Sequence, residues 1–224
     1  MSWWMVLLVV LTSLTMVINW LATLNKTRYL FKITKPLALI LLIILFFLFM
    51  GFKTELLWFY IALVLSLAGD ILLMFPTSAF LLGLLAFLFA QIAYIIGFDQ
   101  IRPPLLPAII ASIIVVLVFF VIFRVLQVEV ARKKELRKLR LPILIYSLLL
   151  SSMAASAVLN LFKPEWHPTA ALFAAIGGML FLASDLMLAY NRFITHFKAA
   201  DFLVMCTYHL AQVFLVIGVI IQYL

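Results

Sequence analysis

The sequence has one cysteine, Cys206, so no intrachain disulfide can form and no thiolate cluster can hold a metal. Three histidines in 224 residues stand far apart, and no His, Cys or carboxylate group has metal-ligand spacing. No glycine-rich phosphate loop follows a strand pattern and no serine sits on a nucleophile elbow. Neither a metal nor another cofactor is expected. Charge is also scarce: only 11% of the residues are Asp, Glu, Lys or Arg, and eight are acids. A soluble fold must cover itself with polar groups, and so poor a supply excludes one.

What fills the chain is apolar. Hydrophobic residues make up 68% of it and the mean hydropathy is +1.31, far above the roughly half-apolar usage of soluble domains. Crossing the hydrocarbon layer as a helix takes about 20 apolar residues, with every backbone polar group bonded internally. Eight runs meet that need: Trp3 to Leu24, Pro36 to Phe52, Leu56 to Phe75, Phe80 to Phe98, Leu105 to Leu126, Leu141 to Leu161, Thr169 to Tyr190 and Phe202 to Tyr223. The first lacks a basic leader and a small-residue cleavage pattern, so it reads as a span and not as a signal peptide. Breaks between runs carry Pro, Gly or charge, with most prolines expected near helix starts. The fold class is an all-α polytopic membrane protein, one transmembrane domain over residues 1–224.

The net charge of +8 does not indicate a nucleic-acid partner, because the cations lie between the apolar runs and not along one face. Thirteen of the sixteen Lys and Arg residues fall in odd-numbered loops; only Lys53, Arg102 and Lys163 fall in even-numbered ones. Basic residues concentrate on the cytoplasmic side, so both termini are expected to face away from the cytoplasm. The run Arg132 to Arg140 is the densest of these signals, and its alternative reading is a contact with anionic lipid.

An internal repeat is legible. Leu67-Ala68-Gly69-Asp70-Ile71-Leu72-Leu73 in the third run resembles Leu182-Ala183-Ser184-Asp185-Leu186-Met187-Leu188 in the seventh. Phe89-Ala90-Gln91-Ile92 with Ile96-Gly97 matches Leu210-Ala211-Gln212-Val213 with Ile217-Gly218, and Lys35-Pro36-Leu37 stands beside Arg140-Leu141-Pro142. The halves are about 1–99 and 104–224. Four helices is an even number, so both halves enter from one side and their axis runs along the membrane normal. Asp70 and Asp185 are then expected at one depth, about five residues and so roughly 7 to 8 Å inside the cytoplasmic surface.

An acid inside a membrane helix is expensive and is a functional hypothesis by default. The bland alternatives are a helix-to-helix hydrogen bond or a snorkelling acid. Two acids close together in low dielectric resist ionising together, which leaves a neutral proton donor beside an anion, an arrangement suited to hydrolysis through an oxocarbenium-like intermediate. The remaining acids, Glu55, Asp99, Glu129, Glu135, Glu165 and Asp201, fall in loops or at helix ends and read as solvated. Ser66, Tyr146, Ser184, Tyr208 and His209 lie at comparable depth, with Gln91, Tyr94 and Gln212 deeper. His209 reads as a hydrogen-bonded packing residue. Gly69, Ala183, Gly177-Gly178 and Ser151-Ser152 read as small residues that let helices approach. Trp3, Trp4 and Tyr223 read as interfacial anchors.

Leu67-Ala68-Gly69-Asp70 with Leu73-Met74, and the string Ser184-Asp185-Leu186-Met187-Leu188-Ala189-Tyr190-Asn191-Arg192-Phe193, resemble the YhhN-like lysoplasmalogenase family of eight-helix membrane proteins. Lys35-Pro36-Leu37, Met153-Ala154 and Ala211-Gln212 add to the resemblance, which runs from Lys35 to Gln212. It implies hydrolysis of the vinyl ether bond of a lysoplasmalogen to a fatty aldehyde and a glycerophospho-ethanolamine or -choline. Asp70 and Asp185 would be the catalytic pair. Lys35 and Arg192 would meet the phosphate, with Tyr146, Tyr208, Gln91 and Gln212 lining the substrate site. The lipid would arrive from the bilayer. The sequence departs from the family at one point: relatives often read Ala-His-x-x-Tyr where this chain has Ala90-Gln91-Ile92-Ala93-Tyr94, and an amide cannot titrate. The competing readings are a small proton-coupled transporter, since parallel repeats and intramembrane acids occur there too, and a non-enzymatic membrane protein.

Overall fold

The computed structural model describes residues 3–75, 79–132 and 140–224. Eight helices follow one another with no strand among the described residues: α1 Trp3–Leu24, α2 Arg28–Met50, α3 Leu57–Leu72, α4 Phe80–Phe98, α5 Leu105–Arg132, α6 Arg140–Leu159, α7 Pro168–Ala189 and α8 Ala200–Tyr223. Short 3-10 turns precede α3 and α7, and a π-helical turn, Tyr190–Ile194, ends α7. Seven described segments are long and apolar enough to cross a membrane, and α5 is apolar over Leu105–Val121. Pro76 and most of the basic run between Arg132 and Arg140, with Glu135, lie outside the described residues.

One expected helix start moves. α2 begins at Arg28, not at Pro36, and continues through Pro36. Proline inside a helix forfeits one N–H bond, that to the Lys32 carbonyl; the apolar run beyond it keeps the helix intact. Lys32 and Lys35 are therefore helical residues, and Lys35 faces inward, 9% exposed. Pro142 and Pro168 do sit in first turns.

Side chains bury inward around Phe46, Phe59, Leu63, Tyr94, Phe98, Met153, Phe181 and Leu215, while Trp3 and Trp4 stand at the exposed end of α1. The most extensive pairings are α7 on α8 and α3 on α4, and α5 packs chiefly on α6 at the periphery. Glycines set the close approaches. A Cβ on Gly97 of α4 would meet the Phe59 ring of α3 at 2.9 Å, and one on Gly218 of α8 would meet the Ala174 backbone of α7 at 2.8 Å. The register shift that carries Asp70 to Asp185 also carries Phe59 to Ala174, so the two helix pairs dock in the same register.

The end of the molecule away from the aspartates has its own pair of matching contacts. Lys53-Thr54-Glu55 precedes α3 and Lys163-Pro164-Glu165 precedes α7. In each half a glutamine donates to the carbonyl of that glutamate, Gln100 just past α4 to Glu55 at 2.9 Å and Gln222 of α8 to Glu165 at 3.0 Å. Each lysine crosses to the other half and donates to the end of its last helix, Lys53 to the Tyr223 carbonyl and Lys163 to the Phe98 carbonyl, both at 2.9 Å. Cations suit helix C-termini, whose last carbonyls have no partner within the helix. Lys163 is fully enclosed, bonded also to Asn160 at 2.9 Å and paired with Asp99 at 3.5 Å, and Ser156 holds the other Asp99 oxygen. Asp99 is thus a partner and not simply a solvated acid.

Candidate active site

The helical hairpins place the ends of α3 and α7 beside the starts of α2, α4, α6 and α8. Asp70 lies two residues before the end of α3 and Asp185 four before the end of α7. Both are buried, 1% and 9% exposed, and both line one cavity of about 80 Å³. Tyr146, Ser184, Arg192, Tyr208 and Lys35 complete its polar wall; Phe80, Leu84, Phe87, Ile143 and Phe193 are among its apolar side chains. A polar minority in an apolar hollow is the usual composition of a small-molecule site.

The two carboxylates have different partners. Lys35 Nζ is 3.1 Å from Asp70 Oδ1, and the Tyr208 hydroxyl donates to Asp70 Oδ2 at 2.9 Å. Asp185 Oδ2 instead accepts from the Tyr146 hydroxyl, and no described cation lies within ion-pair distance of it. A cation at contact favours an anion, whereas a phenol serves either protonation state. Behind Tyr208 a relay of side chains fixes its ring: Gln212 Nε2 donates to its oxygen at 3.3 Å, and Tyr94 donates to Gln212 Oε1 at 2.6 Å. Phe87 and Phe181 meet the same ring edge-on.

Local sequence explains the placement. Gly69 precedes Asp70, and a Cβ there would strike the Phe87 ring at 2.5 Å, so only glycine lets α4 close against the acid. At the matching position Ser184 uses the room differently, its hydroxyl donating to the Val204 carbonyl of α8 at 3.0 Å. The π-helical turn after α7 brings Arg192 back over the Phe80 ring, 4.1 Å from its centroid. Single π turns of this kind recur at functional sites.

Of the residues singled out in the sequence, Lys35, Asp70, Tyr146, Asp185, Arg192 and Tyr208 come together around the cavity. Lys35 reaches it with its ammonium on Asp70 and not free in a loop. Gln212 stands one shell back. Gln91 is fully buried with its amide against the Tyr146 hydroxyl, but it does not line the cavity. His209 packs behind the site, where Trp20 Nε1–H donates to its Nδ1 at 3.0 Å. That bond fixes the neutral tautomer with its proton on Nε2. The sequence reading did not anticipate Phe87 and Ile143; apolar residues facing a small cavity carry no signal that separates them from core.

The YhhN family model matches residues 27–219. Among characterised proteins, the chain is similar to Lysoplasmalogenase TMEM86B of Mus musculus, 29% identical over 157 residues, which is 70% of this chain and 61% of that protein. It is similar also to the Lysoplasmalogenase of Mycobacterium bovis, 30% identical over 163 residues, 72% of this chain and 59% of the relative, and equally to that of Mycobacterium tuberculosis. The matched stretch spans about three fifths of the length of these relatives. No solved structure matches the chain.

Proposed function

The chain belongs to the YhhN family, and on that footing we propose that it is a lysoplasmalogenase-like hydrolase that cleaves a vinyl ether bond in lysoplasmalogens, with Asp70 and Asp185 as its catalytic pair. The observation that carries this reading is the pair of buried acids on one small cavity, one held by a cation and one by a phenol alone. The names of the relatives supply the substrate class.

Vinyl ether hydrolysis begins with protonation of carbon, the slow step, and needs a positioned acid. Asp185, which no cation stabilises as an anion, donates its proton to the outer alkenyl carbon. The electron pair of the double bond forms the new C–H bond, and the ether oxygen shares the positive charge left behind. Asp70, held ionised by Lys35, stabilises that oxocarbenium ion and accepts a proton from the water that adds to it. The hemiacetal then gives its hydroxyl proton to Asp185, and the carbon–oxygen bond to glycerol breaks. Asp70 returns its proton to the departing oxygen. Aldehyde and glycerophospho-ethanolamine or -choline leave, and both acids regain their starting states.

The site lies at the end of the bundle to which the odd-numbered, basic-rich connections belong in sequence, which on the positive-inside rule is the cytoplasmic side, with both termini opposite. The lipid tail enters between helices from the bilayer while the polar part stays near the surface. A carrier would be expected to hold its acids near the midplane. Two four-helix repeats are supported by the equivalent glycine contacts and the reciprocal Lys-x-Glu contacts. Purified protein given a lysoplasmalogen should release fatty aldehyde, and Asp70→Asn or Asp185→Asn should each abolish release.

A further inference from the structure

Directly outside the acid cavity lies a second, larger hollow of about 570 Å³, between the α1–α2 turn and the segment that joins α7 to α8. Three cations line it, Lys26, Arg28 and Lys198, with a single carboxylate, Asp201. Successive residues of the same segments line the two hollows. Phe31 lines the outer one and Lys35, one turn further along α2, lines the inner. Asn191 faces the outer and Arg192 the inner; Phe202 of α8 faces the outer, and Met205 of the next turn the inner. Arg28 precedes Lys35 by seven residues on α2, about two turns of 5.4 Å, so the outer cations start about two turns above the inner lysine. In a lysoplasmalogen the glycerol backbone likewise sets the phosphate apart from the vinyl ether.

The backbone around this hollow is held in unusual conformations. Lys26 at φ 55° and Ala199 at φ 62° are the only non-glycine residues with positive φ among the described residues, and both line it. Left-handed backbone at a non-glycine residue costs energy and tends to persist where a site requires it. Meanwhile the two cations nearest the acids are already engaged, Lys35 on Asp70 and Arg192 over Phe80.

We propose that this outer hollow is the head-group site, with Lys26, Arg28 and Lys198 binding the phosphate and Asp201 the ammonium of a zwitterionic phospho-amine head. The proposal rests on the lysoplasmalogenase-like reading for its substrate class, but its binding test needs no turnover. The probes are three saturated ether lipids that resist vinyl ether chemistry, 1-O-alkyl-lysophosphoethanolamine, 1-O-alkyl-lysophosphatidic acid and 1-O-alkylglycerol, titrated onto purified full-length protein in neutral detergent. Each single cation-to-Gln substitution should weaken the two phosphate lipids a few-fold, and the triple variant by about tenfold, as exposed ion pairs allow. Alkylglycerol affinity should stay unchanged, and Lys26→Arg with Lys198→Arg should retain wild-type affinity. Asp201→Asn should weaken the phosphoethanolamine lipid and spare the phosphatidic one. Sodium glycerol phosphate, which lacks a tail, should compete only weakly; strong competition would assign the hollow to a free phosphate and overturn the lipid head-group site. Equal losses for alkylglycerol and the phosphate lipids, or no loss in the triple variant, would also overturn it. If wild-type protein releases no aldehyde from a lysoplasmalogen yet the charge-dependent binding is found, the catalytic reading fails and the head-group site stands.

Discussion

Lys35 Nζ lies 3.1 Å from Asp70 Oδ1, and no described cation stands in the matching place at Asp185. Two acids that line one cavity are therefore made unequal by α2, and in the proposed reaction that inequality divides the roles of anion and proton donor between them.

Replacing Lys35 by Met leaves Asp70 buried beside a neutral neighbour. Aldehyde release should fall by about a hundredfold or more, and the melting temperature should fall too, because removing one partner of a buried pair strands the other. Adding Asp70→Asn should restore much of the stability and none of the activity. A Lys35→Met protein as stable and as active as the wild type would remove Lys35 from the account.

Tyr146→Phe takes away the hydroxyl that orients Asp185, whereas Tyr208→Phe leaves Asp70 still held by Lys35. The first should lower kcat by about tenfold or more, on the scale of a positioned acid, and the second by less. The ratio of the two rates, measured with one lysoplasmalogen, checks the order; the reverse order would count against Asp185 as donor.

Gln91 is fully enclosed, and its amide lies against the Tyr146 hydroxyl, the group that orients Asp185. Gln91→His should change the pH profile of aldehyde release, because it puts a titratable ring beside Tyr146.

Lys163→Met breaks the contacts with the Phe98 carbonyl and the buried Asn160 side chain. A loss of about 1 to 3 kcal/mol is expected, read as a lower midpoint in detergent. Lys163→Arg should recover part of it.

Much of the architecture was legible because apolar length and basic loops are direct consequences of the bilayer: the helix order and the shared end of Asp70 and Asp185 could be read from Trp3 to Tyr223. The place of Lys35 could not. A Lys-Pro pair reads as the start of a helix, and only tertiary packing carries α2 back to Arg28 and turns that lysine inward. Lys163 was hidden in the same way, since a loop cation and a buried helix cap look alike until the Phe98 carbonyl is placed beside it. Tyr146 and Tyr208 could be named from their depth, but which acid each one serves depends on the rotation of α6 and α8. Ser184 and Gly69 occupy equivalent positions yet do different work, because Phe87 meets one and the Val204 carbonyl the other.

The most direct test is the rate of fatty aldehyde release from a lysoplasmalogen by purified, folded protein carrying Asp70→Asn or Asp185→Asn, beside the wild type. The account predicts release by the wild type and none above background by either variant, with melting curves showing that both remain folded. Release by either variant at the wild-type rate would contradict it.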